Sequence, residues 1–196
     1  MVLVRSPEPP RTWVSLETLR ANRLAEELLS AGRVRGIGRG WTVRREVRRG
    51  NSRFDFLLQR ENGDEMLVEV KSVTLVQHGL ALFPDAPTVR GTRHVRELEQ
   101  AVRSGTRAAV LFVVQRDDAR AVAPHAGIDP EFTRALQSAA ASGVLIRAAR
   151  YRLLASGAAV WLGSLPVRVK RASAGRGSAA RPGSPPGSAR RNRRGG

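Results

Sequence analysis

The sequence predicts a mixed α/β domain, one central sheet flanked by helices, and three observations carry it. An amphipathic leucine pattern opens the chain's globular part. Three alternating apolar segments separated by turn residues follow it. Two further helical segments each then lead into an apolar strand. A meander followed by helix–strand alternation places helices on both faces of a mixed sheet.

Leu16, Leu19, Leu24, Leu28 and Leu29 recur at helical spacing and stop before Gly32, which predicts a helix over Leu16 to Ser30. WTVRREV (Trp41 to Val47) and RFDFLLQ (Arg53 to Gln59) alternate at period two around RRGNS and read as a hairpin. MLVEVKSV (Met66 to Val73) follows the turn ENGD as a third strand. Val89 to Ser104 is polar with Val95, Leu98 and Val102 on one face, and after Gly105 comes AAVLFVVQ, a continuous apolar run suited to a buried strand. Asp129 and Pro130 stand where a helix starts, Phe132, Leu136 and Ala139 continue it, and Gly143 ends it before VLIRAARYRLL returns as strand.

The organisation follows from composition. Of 196 residues, 171–196 hold seven arginines, no acid and almost nothing apolar, so a disordered tail is expected there. Residues 13–170 form the expected domain, and 1–12 a remnant or linker. The net charge of +17 favours a polyanionic partner such as nucleic acid. Without the tail, 27 basic residues still face 17 acidic ones. Lys71 and Lys170 are the only lysines, an arginine bias that a GC-rich genome would also produce. No apolar run is long enough for a membrane span and no signal-peptide core precedes the prolines of MVLVRSPEPP, so the expectation is a cytoplasmic protein with no membrane partner. The absence of cysteine excludes disulfides and thiolate metal sites.

Residues two apart on a strand share a face, so Glu69 and Lys71 project together from an otherwise apolar segment, while Asp55 sits between Phe54 and Phe56. Charges in such surroundings need partners or a metal. Asp55 and Glu69 supply oxygen ligands suited to Mg²⁺ or Mn²⁺, and Lys71 could orient a nucleophile or neutralise phosphate charge. The bland alternative is an ion pair on a solvated sheet face. Glu27 on the first helix is a candidate third metal ligand, although Glu26 beside it shows how readily a surface acid occurs there, and Gln115 is a candidate for the site's edge. Arg53, Arg90, Arg93, His94 and Arg96 are candidates for gripping a DNA backbone, against a solvated or packed helix face. His78 and His125 lack zinc-ligand spacing. GIGRG (Gly36 to Gly40) resembles half of a phosphate loop, but no Lys-Ser pair or helix follows, and it reads as a connector.

The blocks SRFDFLL, VEVKSVTL, ALFPDAPTVRGTRHVREL, LFVVQR and IDPEF together resemble the sugar fermentation stimulation protein (SfsA) family from about Leu16 to Leu165. The resemblance implies a restriction-endonuclease-like PD-(D/E)XK core, DNA binding and regulation of sugar-utilisation genes. Asp55 matches the family's first acid, and Glu69 and Lys71 match its E-x-K. It also implies an N-terminal OB-type barrel that this sequence lacks, so a truncated relative or a misassigned start is expected. Two functions stay open, Mg²⁺-dependent phosphodiester hydrolysis and non-catalytic DNA binding. A third is a subunit of a larger assembly, homo-oligomers included.

Overall fold

The computed structural model describes residues 3–5, 12–15, 17–50 and 52–169. The expected tail at 171–196, and most of 1–12, lie outside them. Leu3–Arg5 (β1) and Trp13–Ser15 (β2) pair antiparallel as a small ribbon. Helix α1 covers Thr18–Ser30. Then come β3 (Thr42–Arg49), β4 (Ser52–Gln59) and β5 (Glu65–Val73), the short strands β6 (Val76–Gln77) and β7 (Leu80–Phe83), and α2 (Val89–Arg103). The chain continues through β8 (Arg107–Val114), β9 (Ala121–Pro124), α3 (Pro130–Ala141), β10 (Leu145–Leu153) and β11 (Ala159–Ser164).

Six strands make the main sheet in the order β11-β10-β8-β5-β4-β3. The meander β3-β4-β5 is antiparallel, β5, β8 and β10 run parallel, and β11 returns antiparallel as the far edge. Helices α2 and α3 connect the parallel strands, as parallel pairing requires. β6, β7 and β9 form a separate three-stranded sheet.

The central strand β8 shows how the layers separate. Val110, Phe112 and Val114 face a core completed by Val95 and Leu98 of α2 and Phe132 and Leu136 of α3. Ala109, Leu111 and Val113 face the opposite core, completed by α1. A strand buried on both faces reads as a continuous apolar run, as β8 does. In α1 the buried stripe is Ala21, Leu24, Ala25, Leu28 and Leu29, whereas Leu19 is 68% exposed and Leu16 lies outside the described residues. The expected leucine face is thus corrected at its N-terminal end, where two alanines let the helix approach the sheet.

The starts of α2 and α3 are fixed by side chains. Thr88 caps α2 by accepting from the Gly91 N–H, and Asp129 caps α3 by accepting from Phe132 at 2.8 Å, with Pro130 in the first turn. The second oxygen of Asp129 accepts from the Thr88 N–H at 2.8 Å, so one carboxylate ties the starts of both helices. Among the described residues no helix is long and apolar enough to cross a membrane.

Candidate metal and nucleic-acid site

Strands β4 and β5 pair only from Phe56↔Val68 to Gln59↔Glu65, and beyond Phe56 they part. Asp55 stands at that fork. Its Oδ2 accepts from the Val70 main-chain N–H at 2.8 Å, giving that amide a side-chain partner, and its Oδ1 accepts from Asn22 Nδ2 of α1 at 2.9 Å. Across the other edge of β4, the β3–β4 ladder also skips the rung between Glu46 and Asp55, and Glu46 has a left-handed φ of 53°. The alternation breaks at this rung. Phe54 belongs to the α2–α3 core and Phe56 to the α1 core, although they are two residues apart.

On β5 the regular alternation continues. Met66, Val68 and Val70 face α1, while Leu67 and Val73 face the α2–α3 core, which places Glu69 and Lys71 on the α2 side. Both are buried, at 5% and 8% exposure. Lys71 Nζ donates to Glu69 Oε1 at 2.8 Å, and His94 Nδ1 of α2 lies 2.6 Å from the same oxygen. An ionised carboxylate accepts only, so Nδ1 carries the proton in this arrangement. Glu69 Oε2 is buried without a hydrogen-bond partner.

Burial, then the neighbouring Glu69 charge, hold the Asp55 carboxyl above its ordinary value despite the donors Val70 and Asn22 and the charge of Lys71. Burial also pushes Glu69 up, but His94 and Lys71 outweigh it and leave that carboxyl below its ordinary value. The centre therefore holds one well-compensated acid and one crowded acid.

The predicted site residues divide. Asp55, Glu69 and Lys71 come together as expected. Arg53, Arg90, Arg93 and His94 line one open pocket of about 420 Å³, together with Arg48. His94 is 2% exposed and spends its Nδ1 on Glu69, so the expected surface phosphate contact is corrected to a buried partner of the acid. Arg96 lies outside the pocket lining and pairs with Glu131 of α3 at 2.7 Å.

Glu27 is exposed, and its charge bears on Tyr151 rather than on Asp55. It lies five residues along α1 from Asn22, about 140° round the helix, so Asn22 takes the place beside Asp55. Gln115 is fully buried, donates to Ser72 Oγ at 3.0 Å and has an unpartnered Oε1. Asn22 and Arg48 escaped the sequence reading. Their signal was position, one on the helix face flanked by buried Ala21 and Ala25, the other opposite Arg53 across the hairpin.

Among the described residues no trio of His, Asp or Glu side chains is arranged around a metal position. The set that fits an oxygen-seeking divalent ion is Asp55 with the buried, unpartnered Glu69 Oε2. A cation there would relieve both the orphaned oxygen and the crowding of the two acids.

Comparison with known proteins decides the family. The profile described as "Sugar fermentation stimulation protein RE domain" matches residues 19–157. The chain belongs to the sugar fermentation stimulation protein (SfsA) family. It is 50% identical over 140 residues to a sugar fermentation stimulation protein homolog of Moorella thermoacetica, covering 71% of this chain and 60% of that protein. With the homolog of Syntrophotalea carbinolica it shares 51% identity over 142 residues, covering 72% and 61%. The chain thus spans about 60% of the length of these curated relatives. A solved SfsA of Pyrococcus furiosus, in complex with Ca²⁺, superposes with a TM-score of 0.74 at 28% identity, covering 85% of this chain and 77% of that one. Among SfsA folds, this one keeps the nuclease-like mixed sheet.

Proposed function

We propose that this SfsA-family chain binds DNA across the arginine pocket and hydrolyses phosphodiester bonds at Asp55, Glu69 and Lys71 with Mg²⁺, which Mn²⁺ can replace. The observation that carries it is the buried, unpartnered Glu69 Oε2 beside the crowded Asp55, a pair of acids that fits a divalent ion. The Ca²⁺ complex of the Pyrococcus relative supports the same ion class. Such an ion, when bound, lowers the pKa of a coordinated water and offsets charge on the phosphate.

The chain's own residues supply the rest. Lys71 spends one N–H on Glu69 and keeps two for an attacking water or a phosphate oxygen. His94 fixes the Glu69 carboxylate in orientation, and Asn22 with the Val70 amide fixes Asp55. Arg48, Arg53, Arg90 and Arg93 border the same pocket, where guanidinium groups grip flanking phosphates. Incubating the full chain with plasmid and single-stranded DNA and Mg²⁺ or Mn²⁺ tests the activity. Cleavage should appear and should fall about 10²-fold or more in Asp55→Ala. Equal inactivity of wild type and variant with both metals would sink it.

One observation favours a second function, a regulator of sugar-utilisation genes that holds DNA without cutting it. Lys71 and His94 both converge on Glu69 Oε1, so the protein's own side chains already partner that oxygen. DNA binding that is retained in wild type, Asp55→Asn and Glu69→Gln alike, with no cleavage by any of them, would select this function over hydrolysis.

A further inference from the structure

The loop Gly36 to Gly40, between α1 and β3, lies at the other end of the sheet from Asp55 and is surrounded by arginines. Arg53 and Arg60 are seven residues apart along β4, which separates the two ends by about 20 Å at the rise of a strand. Arg60 follows β4, Arg107 begins β8, and Arg147 lies near the start of β10, so these residues gather where the parallel strands begin. Arg35 and Arg39 project from the loop itself and are exposed.

Three of these arginines are anchored on main-chain carbonyls of the loop. Arg147 Nε donates to the Arg35 carbonyl at 2.7 Å, Arg60 to the Arg39 carbonyl at 3.2 Å, and Arg107 to the Gly36 carbonyl at 3.4 Å. The Arg60 and Arg107 guanidiniums also lie over the Trp41 ring, at 4.2 and 5.3 Å from its centroid. The Trp41 indole N–H is itself tied to the Ile37 carbonyl at 3.0 Å. Several other arginines meet carboxylates, as in Arg116–Asp118, Arg103–Glu99, Arg96–Glu131 and Arg152–Asp117, although Arg150 also donates to a carbonyl, that of Ala119, and Arg33 lies over Trp161. Here the acids close by are Asp64, 4.0 Å from Arg60, and Glu61 at the rim of the adjoining pocket.

A carbonyl or an indole face fixes a guanidinium without cancelling its charge. The result is a positive surface on which the Arg60, Arg107 and Arg147 guanidiniums are held mainly by neutral partners, with Asp64 and Glu61 as the acids beside Arg60 and with exposed Arg35 and Arg39 adding charge. The loop backbone is accessible as well. Gly38 and Gly40 have left-handed φ, and nothing stands within 4 Å of the place a Cβ would take, so a phosphate can approach the main chain there. Gly36 also has a left-handed φ, of 83°, and the tip of the Arg147 side chain lies against it.

We infer that Arg35, Arg39, Arg60, Arg107 and Arg147 around the Gly36–Gly40 loop form a second nucleic-acid surface that grips phosphates remote from the Asp55–Glu69 centre. With the proposed function it shares only the polyanionic partner. A duplex is favoured over an anionic membrane because the surface presents guanidinium forks held in place by carbonyls, and the large apolar side chains of the loop and its flank, Ile37 and Trp41, are buried. Exposed Arg44 and Arg45 of the edge strand β3 stand between the two basic ends and supply further charge along the route.

The test is a salt titration of the affinity of the full chain for a short labelled DNA duplex, in wild type, Arg35→Gln/Arg39→Gln and Arg48→Gln/Arg93→Gln. Arg35 and Arg39 make no side-chain hydrogen bond or ion pair among the described residues, so their replacement leaves the fold's contacts in place. The loop variant should lose about tenfold in affinity at low salt, and the slope of log affinity against log salt should shrink by up to about two. Arg35→Lys/Arg39→Lys should restore most of both. Unchanged slope and affinity in the loop variant overturn the second surface. So does loop-dependent capture of phosphatidylserine vesicles with no effect on DNA. If the loop variant weakens binding and the pocket variant does not, the second surface stands and the proposed DNA path across the pocket falls. The converse result leaves the pocket and removes the loop.

Discussion

Glu69 and Glu99 are both nearly buried carboxylates that engage α2, and their surroundings differ in kind. Glu99 Oε1 accepts from Arg103 at 2.6 Å and from Ser138 and Ser142 at 2.8 Å, a set of donors that joins α2 to α3. Burial pushes it up, but Ser142, Ser138 and Arg103 hold it below its ordinary value. Glu69 also ends below its ordinary value, yet one of its oxygens is buried without a partner and a second acid, Asp55, is crowded against it. Glu99, which joins the two helices, collects three donors. Glu69 has its two donors on one oxygen, its other oxygen is buried with none, and the crowding falls on neighbouring Asp55.

The largest effect that could break this contrast is metal-linked stability. Excess Mg²⁺ or Ca²⁺ should stabilise the wild type by about 2.7 kcal/mol at a hundred times the dissociation constant, and should leave Asp55→Ala unmoved. Glu99→Ala should keep the full metal response. A Glu99 variant that loses it as Asp55→Ala does would erase the distinction between the two acids.

Next in size is the metal-free stability of the variants themselves. Glu99→Ala strands Ser138 and Ser142 and should cost about 1–3 kcal/mol in urea unfolding. Asp55→Asn should hold or raise stability, because burial and Glu69 already disfavour the charged form of Asp55. A loss in Asp55→Asn as large as that in Glu99→Ala would mean that Asp55 is structural.

The pH dependence sharpens the same point with a smaller signal. Asp55 is raised from 3.8, so the folded state holds its proton longer and this residue's contribution falls as pH climbs through the folded value. Glu69 and Glu99 are lowered from 4.5, so their contributions are present above that value and are lost as pH falls through the folded ones. Unfolding across the acid range should therefore show opposite slopes removed by Asp55→Asn and by Glu99→Gln. Slope changes of the same sign would contradict the assignment.

The smallest effect belongs to Arg96, which pairs with Glu131 where both are exposed. Arg96→Ala should change stability by no more than about 0.5 kcal/mol and leave DNA affinity near wild type, whereas Arg93→Ala in the pocket should weaken it if DNA binds there as proposed. Equal losses of affinity would place α2's outer face on the DNA path.

Much of the main sheet was legible because its signals are local. The period-two segments of β3, β4 and β5, the apolar run of β8 and the Asp129-Pro130 start of α3 each depend on neighbours a few residues away. β7 and β9 escaped notice because their partners lie some forty residues apart, and β11 because an edge strand with exposed Val160 and Trp161 shows no buried face. The same division runs through the site. Alternation along one strand brings Glu69 and Lys71 together, and the motif blocks supply Asp55.

Residue type and spacing alone determined the Glu69–Lys71 pair, the basic excess and the order of the three helices and of β3, β4, β5, β8 and β10, since each is written in consecutive residues. Tertiary structure decided that Asn22 and not Glu27 meets Asp55, that His94 turns inward to Glu69, that Arg96 leaves the pocket, and that Gly36–Gly40 is ringed by anchored arginines. The physical reason is that helix rotation and strand splay set these contacts. Neither is settled until α1 and α2 have packed against opposite faces of the sheet.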